Sequence, residues 1–269
     1  MTTTSETGYT PTYTLDNQWR EARERLRLLE ISCDPATERH LDDLGVGAGW
    51  DCLEVGAGGG SVVRMLCDRV GPEGRVLAVD LEPRLLDRMT EPNLEVRRLD
   101  VVAEALPEAA FDLVHTRAVL LHIPQREEVL ASLVRALRPG GILLLEEMDL
   151  SPAFEGPDGI YRRAFETAYR PIMAAGVDLY WAAIMPNLLK STGLVDTDSA
   201  RERVTFTGAS PLAEFHRITW LQFLESQPYS EADRALIEAG RAEIALPGGT
   251  YLAWDTVAAW GRRPLTALL

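Results

Sequence analysis

The chain has 269 residues, 46% of them apolar and 25% charged, which suits one large globular domain or a core with a small lid. Its net charge of −14 argues against nucleic-acid and anionic-membrane partners, because both need a basic surface. No apolar run is long enough to span a bilayer, the N-terminus does not resemble a signal peptide, and the three cysteines have unrelated spacings. These features predict a cytoplasmic protein.

The first predicted elements in chain order are helical. Over residues 17–30 the apolar positions recur at spacings of three and four, as on one face of a helix. These positions are Trp19, Ala22, Leu26 and Leu29. Asp34 and Pro35 then form an N-cap followed by proline at a first helical position, and Gly45 is a stop signal. The sequence therefore predicts a pair of helices before the first strand.

From residue 51 short apolar strands alternate with helices. The predicted strands are residues 52–55, 75–80, 94–99, 111–115 and 142–146, and the predicted helices are residues 62–70, 83–89 and 127–137. After residue 150 the pattern becomes mainly helical, with helices over 158–192, 211–225 and 230–244 and two further strands over 203–207 and 251–262. This alternation predicts a doubly wound, Rossmann-like α/β sheet of seven strands with helices on both faces.

The predicted elements divide the chain into four parts. These are an N-terminal helical lid (1–45), a ligand-binding core (46–150), a helical lid insertion (151–192) and the remainder of the core (193–269), which includes a helical substrate-cap segment (211–245).

The strongest motif is a glycine turn between the first strand and the following helix. It reads Glu54-Val55-Gly56-Ala57-Gly58-Gly59-Gly60-Ser61. Glycines allow positive φ and let a ligand lie against the backbone, and open α/β sheets bind ligands at this end of their strands. The dinucleotide pattern G-x-G-x-x-G fails, because counting from Gly56 places Ser61 at the third glycine. Such a turn is also found where a strand merely needs a tight connection.

Acidic residues end the next two strands. Asp80 is placed to accept hydrogen bonds from both hydroxyls of a ribose, although it also suits the N-cap of the helix that follows. Asp100 and the backbone of Val101 are placed to meet an exocyclic amine and a ring nitrogen such as those of adenine. A solvated loop acid is the alternative interpretation of Asp100.

Taken together, these motifs resemble the class I S-adenosylmethionine-dependent methyltransferases over residues 46–147. Glu54 to Gly60 resembles motif I (E/D-x-G-x-G-x-G), Val79-Asp80 motif II, and Leu99-Asp100-Val101 the adenine-contact motif. Phe111 to Val114 resembles the fourth-strand signature, and Leu137 to Gly141 the turn before the fifth strand. The resemblance implies S-adenosyl-L-methionine as cofactor, S-adenosyl-L-homocysteine as its product, and a small-molecule acceptor.

The resemblance also implies which residues contact the cofactor. They are Glu54, Gly56, Ala57, Gly58, Asp80, Leu81, Asp100, Val101, Thr116 and Arg117. In that family the glycine turn packs against the methionine and ribose parts of the cofactor, so no phosphate needs a cradle. Arg117 is interpretable equally as the partner in a salt bridge.

His122 is the predicted general base. The stretch from His122 to Arg126 resembles the H-x-P-x-R stretch of glycoside and natural-product O-methyltransferases, some of which use this histidine as base. Glu147 is placed like the acidic partner in those enzymes. Alternatively, His122 only caps a helix beside Pro124.

Apart from Glu147, for which a second interpretation follows, the remaining titratable residues have no predicted catalytic role. His115 is predicted in the core, His40 and His216 on helix surfaces, and Glu146, Glu147 and Asp149 in a solvated cluster at a strand end. The four histidines lack metal-ligand spacing, so no metal site is expected.

Aromatic residues outside the core are predicted to form the walls of the acceptor pocket. They are Tyr13, Trp19, Tyr169, Trp181, Phe215 and Trp220. Such walls favour a hydrophobic or aromatic specialised metabolite, and His122 favours oxygen over nitrogen or carbon as the atom methylated. Three alternatives remain: a non-methylating cyclase or pericyclase that binds the same cofactor, an NAD-dependent oxidoreductase, and a non-catalytic binding module. A homo-oligomer formed through the N-terminal helices is also left open.

Overall fold

A seven-stranded sheet forms the centre of the computed structural model, which describes residues 15–265. Its strands are β1 (Asp51–Val55), β2 (Arg75–Asp80), β3 (Leu94–Arg98), β4 (Phe111–Arg117), β5 (Leu137–Asp149), β6 (Val195–Gly208) and β7 (Gly248–Arg262). Their order is β3-β2-β1-β4-β5-β7-β6, with β1 to β5 parallel and β7 antiparallel to both of its neighbours. The prediction of a doubly wound, seven-stranded α/β sheet is confirmed.

Helices cover both faces of this sheet. They are α1 (Ala22–Asp43), α2 (Ser61–Val70), α3 (Arg126–Ala136), α4 (Ser151–Glu155), α5 (Ile160–Ala174), α6 (Trp181–Lys190), α7 (Pro211–Ser226) and α8 (Glu231–Ile244). Successive strand residues point to opposite faces, so Cys52 packs with α1 and α2 whereas Leu53 and Val55 pack with α3 and α6. The strand order reverses between β1 and β4, which places a ligand crevice at the carboxyl ends of these strands.

The lid consists of α4, α5, α7 and α8, which pack on one another and on the ends of β6 and β7. Its interior is a cluster of buried aromatic side chains that includes Tyr161, Phe165, Trp220, Phe223 and Trp254. The predicted lid insertion (151–192) is therefore only partly a lid. Helix α5 belongs to the lid, whereas α6 packs on the sheet beside α3. The predicted helix over 83–89 is only a 3₁₀ turn, Pro83–Leu86.

The predicted pair of N-terminal helices is wrong: α1 is one continuous helix, and Pro35 lies inside it. Tertiary contacts on both sides of the proline hold the helix together. Asp34 accepts a hydrogen bond from the Ser61 hydroxyl at 2.8 Å, and Thr37 donates one to Glu146 at 2.5 Å. These contacts join residues far apart in the chain, so the local sequence, with its N-cap residue and proline, could not predict them.

A proline substitution tests the continuity of α1. Pro35→Ala should raise the free energy of unfolding by about 1–2 kcal/mol, because a regained backbone hydrogen bond outweighs the greater entropy of the unfolded chain. Chemical denaturation of the variant and the wild type measures this difference. Pro83→Ala is the control, since Pro83 begins a 3₁₀ turn and its loss should be neutral or destabilising. A loss of stability in the Pro35 variant would mean that a second helix begins there.

Candidate functional site

The glycine turn connects β1 to α2 at the ligand crevice. Gly56, Gly58 and Gly60 have φ values of 74°, 54° and 91°, in the left-handed region that favours glycine. A Cβ on Gly56 would overlap the side chain of Val119, whereas the nearest atom to a Cβ on Gly58 is a Leu26 methyl at 3.6 Å. Gly58 therefore has room for a Cβ only in van der Waals contact with Leu26, at the crevice where a ligand would lie.

Asp80 ends β2 beside the glycine turn. Its Oδ2 accepts a hydrogen bond from the backbone N–H of Gly58 at 2.9 Å, and its Oδ1 accepts one from the N–H of Glu82 at 2.9 Å. Ala57 is buried within the turn, and Leu81 is half-buried after β2. The structure thus brings these predicted cofactor residues together at one edge of the sheet.

Asp100 and Val101 follow β3 at the same edge. The N–H of Leu99 donates to the carbonyl of Asp80 at 3.0 Å, which joins the two strand ends. Asp100 Oδ1 accepts from the N–H of Val102 at 2.9 Å, and Val101 is half-buried. The predicted adenine contacts therefore lie next to the predicted ribose contact.

A buried chain of carboxylates and imidazoles runs beneath the turn. His115 Nδ1 lies 2.5 Å from Glu54 Oε2, and its Nε2 lies 3.1 Å from Glu146 Oε2. Glu146 also accepts from the Thr37 hydroxyl at 2.5 Å and lies 2.5 Å from His40 Nδ1. This carboxylate–imidazole chain therefore connects β1, β4 and β5 to α1.

The charges in this chain stabilise one another. Burial alone would lower the pKa of His115, but the Glu54 charge and hydrogen bonds to both carboxylates raise it to about 9. Burial alone would raise the pKa of Glu146, but hydrogen bonds from His115, His40 and Thr37 hold it well below its usual range. Burial raises the pKa of Glu54, and His115 offsets part of that rise. His115 is therefore an imidazolium between two carboxyl groups at neutral pH.

Several predicted surface residues are buried. His40 is 8% exposed and His216 fully buried, so both surface predictions are wrong. Glu146, Glu147 and Asp149 are each 1% exposed, so the predicted solvated cluster is wrong as well. Glu146, Glu147 and Asp149 are buried because their carboxylates have hydrogen-bond partners on other elements. His115 lies in the core, as predicted.

Thr116 and Arg117 end β4 at the same edge of the sheet. Arg117 donates to Asp34 Oδ1 at 3.0 Å, to the Thr37 hydroxyl at 2.9 Å and to the Ser61 hydroxyl at 3.1 Å. It therefore forms a salt bridge between α1, β4 and α2. The Thr116 hydroxyl is fully buried and has no hydrogen-bond partner within residues 15–265.

Glu147 and His122 meet at the 3₁₀ turn that follows β4. Glu147 Oε1 accepts from the N–H groups of Val119 and Leu120 at 3.1 and 2.7 Å, and within the described residues it makes no hydrogen bond to His122. Burial raises the pKa of Glu147 to about 7. Burial, together with the Arg25 charge, lowers the pKa of His122 to about 3. Glu147 thus forms its hydrogen bonds to the backbone of the turn and not to the His122 imidazole.

The predicted acceptor walls separate into two groups. The lid cluster contains or contacts Trp19, Tyr169, Phe215 and Trp220. Trp181 instead packs between α6 and the sheet, so its proposed place beside the others is wrong. Its position follows from α6 belonging to the sheet layer. Tyr13 lies outside the described residues.

Sequence patterns alone did not single out the polar side of α1. Glu30 Oε1 accepts from the N–H of Ser61 at 3.3 Å and lies against Gly59, so it occupies the start of α2. Glu30, Asp34 and Thr37 are spaced by four and three residues, which places them on one face of a helix. The spacing of these three polar residues is the sequence feature from which their shared face could have been predicted.

A small pocket lies between α1 and the ends of β4 and β5. Its lining includes Cys33, Thr37, Arg117, Ala118, Glu147 and Met148. Within residues 15–265, no three or more His, Cys, Asp or Glu side chains are grouped to hold a metal ion. No helix in that range has the length and apolar content needed to cross a bilayer.

Residues 53–145 match the family described as a methyltransferase domain. "Methyltransferase str2" of Strobilurus tenacellus is 32% identical over 154 residues, covering 56% of this chain and 55% of that protein. The chain thus spans about half the length of this curated relative.

Two solved structures show the fold. Phosphoethanolamine N-methyltransferase 2 of Haemonchus contortus superposes with a TM-score of 0.52 at 17% identity, covering 81% of this chain and 50% of that one. The [4+2]-cyclase SpnF superposes with a TM-score of 0.52 at 19% identity, covering 87% and 81%. The fold is the Rossmann-like fold of the class I methyltransferases.

The carboxylate–imidazole chain predicts a pH-dependent stability. Folded His115 keeps its proton up to about pH 9, whereas the unfolded residue releases it near 6.5, so wild-type stability should fall as the pH rises between these values. In His115→Gln this decrease should be smaller, by at most about 3 kcal/mol. Denaturant unfolding between pH 6.5 and 9 measures both slopes.

His216→Gln is the matched control. Burial lowers the pKa of His216 to about 3, so only the unfolded residue titrates, near pH 6.5, and above about pH 7.5 the slope should match the wild type. Equal slopes in wild type and His115→Gln would mean that His115 carries no such proton.

Proposed function

We propose that this protein is an S-adenosyl-L-methionine-dependent methyltransferase that acts on a small-molecule acceptor. The observation that carries the proposal is the glycine turn at Gly58, whose backbone N–H is bonded to Asp80, with Asp100 beside it at the crevice of a class I methyltransferase fold. The match of residues 53–145 to the methyltransferase domain family supports the same reading.

The chain's residues fit this cofactor. Gly58 would face its methionine and ribose portions, Asp80 its ribose hydroxyls, and Asp100 with Val101 its adenine. When bound, S-adenosyl-L-methionine supplies an electrophilic methyl group on a sulfonium. The protein's task is to align the acceptor with that methyl and to exclude water.

The start of α2 argues against a nicotinamide dinucleotide. A dinucleotide places its pyrophosphate on the N–H groups at this helix start. Here the Glu30 carboxylate accepts from the Ser61 N–H and lies against Gly59. Because a carboxylate in that place repels phosphate, a cofactor without phosphate is favoured.

The acceptor side is formed by the lid. Tyr169, Phe215 and Trp220 are packed in the interior of the lid, so the proposal of a hydrophobic or aromatic specialised metabolite rests on the lid's aromatic composition and not on exposed pocket walls. His122 is the proposed base for an oxygen acceptor because of its place in the turn after β4. Its imidazole is neutral, but burial and the Arg25 charge lower its pKa to about 3, which makes it a weak base and counts against the role. Glu147 is the proposed positioning residue, because its carboxylate holds the backbone of the turn that carries His122.

A cyclase that retains the cofactor unchanged is the second candidate. The similarity in fold to the [4+2]-cyclase SpnF favours considering it. The two candidates differ in turnover, because only a methyltransferase converts S-adenosyl-L-methionine to S-adenosyl-L-homocysteine.

A glycine substitution tests the cofactor site. Gly58→Ala should weaken S-adenosyl-L-homocysteine binding at least about tenfold, because the added methyl occupies the space where the ligand lies. Gly71→Ala is the matched control, since Gly71 also has a positive φ of 65° and no atom lies within 4 Å of its added Cβ. Calorimetric titration compares the two. Equal affinities in both variants would place the cofactor elsewhere.

A histidine substitution tests the proposed base. His122→Ala should lower kcat by about 10²–10⁴-fold with any acceptor that is methylated, because general-base catalysis contributes that much. Affinity for S-adenosyl-L-homocysteine should remain unchanged. Product formation is followed by mass spectrometry. A loss in kcat below tenfold would contradict the proposed base.

A further inference from the structure

Arg25, in the first turns of α1, is a buried cation with no carboxylate partner among residues 15–265. Its side chain is 2% exposed. Its one hydrogen bond in the described residues is from Nη2 to the neutral Asn17 Oδ1 at 3.2 Å, and its Nε has no partner there. An isolated buried charge is costly, so a stable fold normally supplies an opposite charge.

Two other partly buried arginines in residues 15–265 have carboxylate partners. Arg117 pairs with Asp34 at 3.0 Å, and Arg126 pairs with Asp178 at 3.1 Å. Their side chains are 12% and 14% exposed, which is more than that of Arg25. Arg25 is thus more deeply buried than either, yet forms no ion pair within the described residues. The missing counter-charge is the feature that needs an explanation.

Arg25 lies where the lid meets the core. Its charge acts on His122, in the turn after β4, and on Tyr169, which is 7% exposed on α5 of the lid. Asn17, its hydrogen-bond partner, precedes α1 and is itself 7% exposed. The guanidinium therefore lies beside Asn17 and within electrostatic reach of both the lid and the proposed base.

The cofactor side of α1 is occupied by a different residue. Leu26, not Arg25, lies against the backbone at Gly58, at 3.6 Å from a Cβ placed there. Successive residues on a helix are about 100° apart around its axis. Arg25 is thus turned away from the glycine turn and toward Asn17 and Tyr169.

We infer that Arg25 binds a carboxylate, or an equivalent anionic group, of the methyl acceptor. The inference rests on the proposed function and narrows it to acidic acceptors with an apolar or aromatic body. The guanidinium supplies planar N–H donors that match a carboxylate, and the aromatic lid would contact the body of the molecule. The acceptor would thereby supply the charge that the fold lacks.

Stability of the unliganded protein gives the first test. Arg25→Met replaces the buried cation by an apolar side chain of similar length. Its melting temperature should equal or exceed that of the wild type, because an unpaired buried charge is removed. Arg23→Met is the matched control, since Arg23 is exposed on the same helix. A large decrease in the melting temperature of the Arg25 variant alone would mean that Arg25 stabilises the fold, which overturns the inference.

Binding of two aromatic probes gives the second test. With S-adenosyl-L-homocysteine saturating, wild-type protein and the Arg23 variant should bind benzoate more tightly than benzyl alcohol. In Arg25→Met, benzoate affinity should fall at least about tenfold while benzyl alcohol affinity stays the same. Wild-type protein that binds S-adenosyl-L-homocysteine but shows no preference for benzoate would overturn the inference and leave the proposed cofactor standing. Failure of the wild type to bind S-adenosyl-L-homocysteine at all would instead contradict the proposed function.

A third test asks whether Arg25 binds a carboxylate of the acceptor or the carboxylate of the cofactor. S-adenosyl-L-homocysteine carries a carboxylate, and 5′-methylthioadenosine lacks it. Arg25→Met should bind both as the wild type does. Weakened binding of S-adenosyl-L-homocysteine with unchanged binding of 5′-methylthioadenosine would assign Arg25 to the cofactor and overturn its assignment to the acceptor.

Discussion

The imidazolium of His115, held between Glu54 and Glu146, fixes how the N-terminal helix docks on the sheet. Two carboxyl groups and a cation are removed from water here, and their burial is tolerated only when hydrogen bonds satisfy them. Glu146 completes its bonds with Thr37 and His40, both from α1. The helix must therefore lie across the ends of the strands in one register.

The position of α1 on the sheet also determines which of its other side chains reach the site. Going back along the helix from Thr37, Asp34 meets Arg117, Glu30 meets the start of α2, and Leu26 meets Gly58. Arg25 then faces the lid. The first acid of the glycine motif, Glu54, thus has a structural task in this protein: it is one end of a buried chain that aligns a helix over the ligand crevice. The same alignment puts a carboxylate where a dinucleotide would need its phosphates.

The core was largely predictable from the sequence, and the helix contacts were not. Apolar strands, the glycine turn and the strand-end acids are local patterns, and the structure places Gly58, Asp80 and Asp100 together as those patterns predict. His40 and Glu146 are 106 residues apart, so no local pattern could show that either is buried. Pro35 likewise looked like a helix start because the contacts that keep α1 continuous come from distant elements. Trp181 was assigned to the lid by its aromatic neighbours in sequence, whereas the packing of α6 on the sheet decided its place.

Calorimetric titration of the wild-type protein with S-adenosyl-L-homocysteine, alongside NAD, tests the proposed cofactor most directly. The arrangement of Gly58, Asp80 and Glu30 predicts saturable binding of S-adenosyl-L-homocysteine at one site and no heat with NAD. Binding of NAD without binding of S-adenosyl-L-homocysteine by the folded protein would contradict the account.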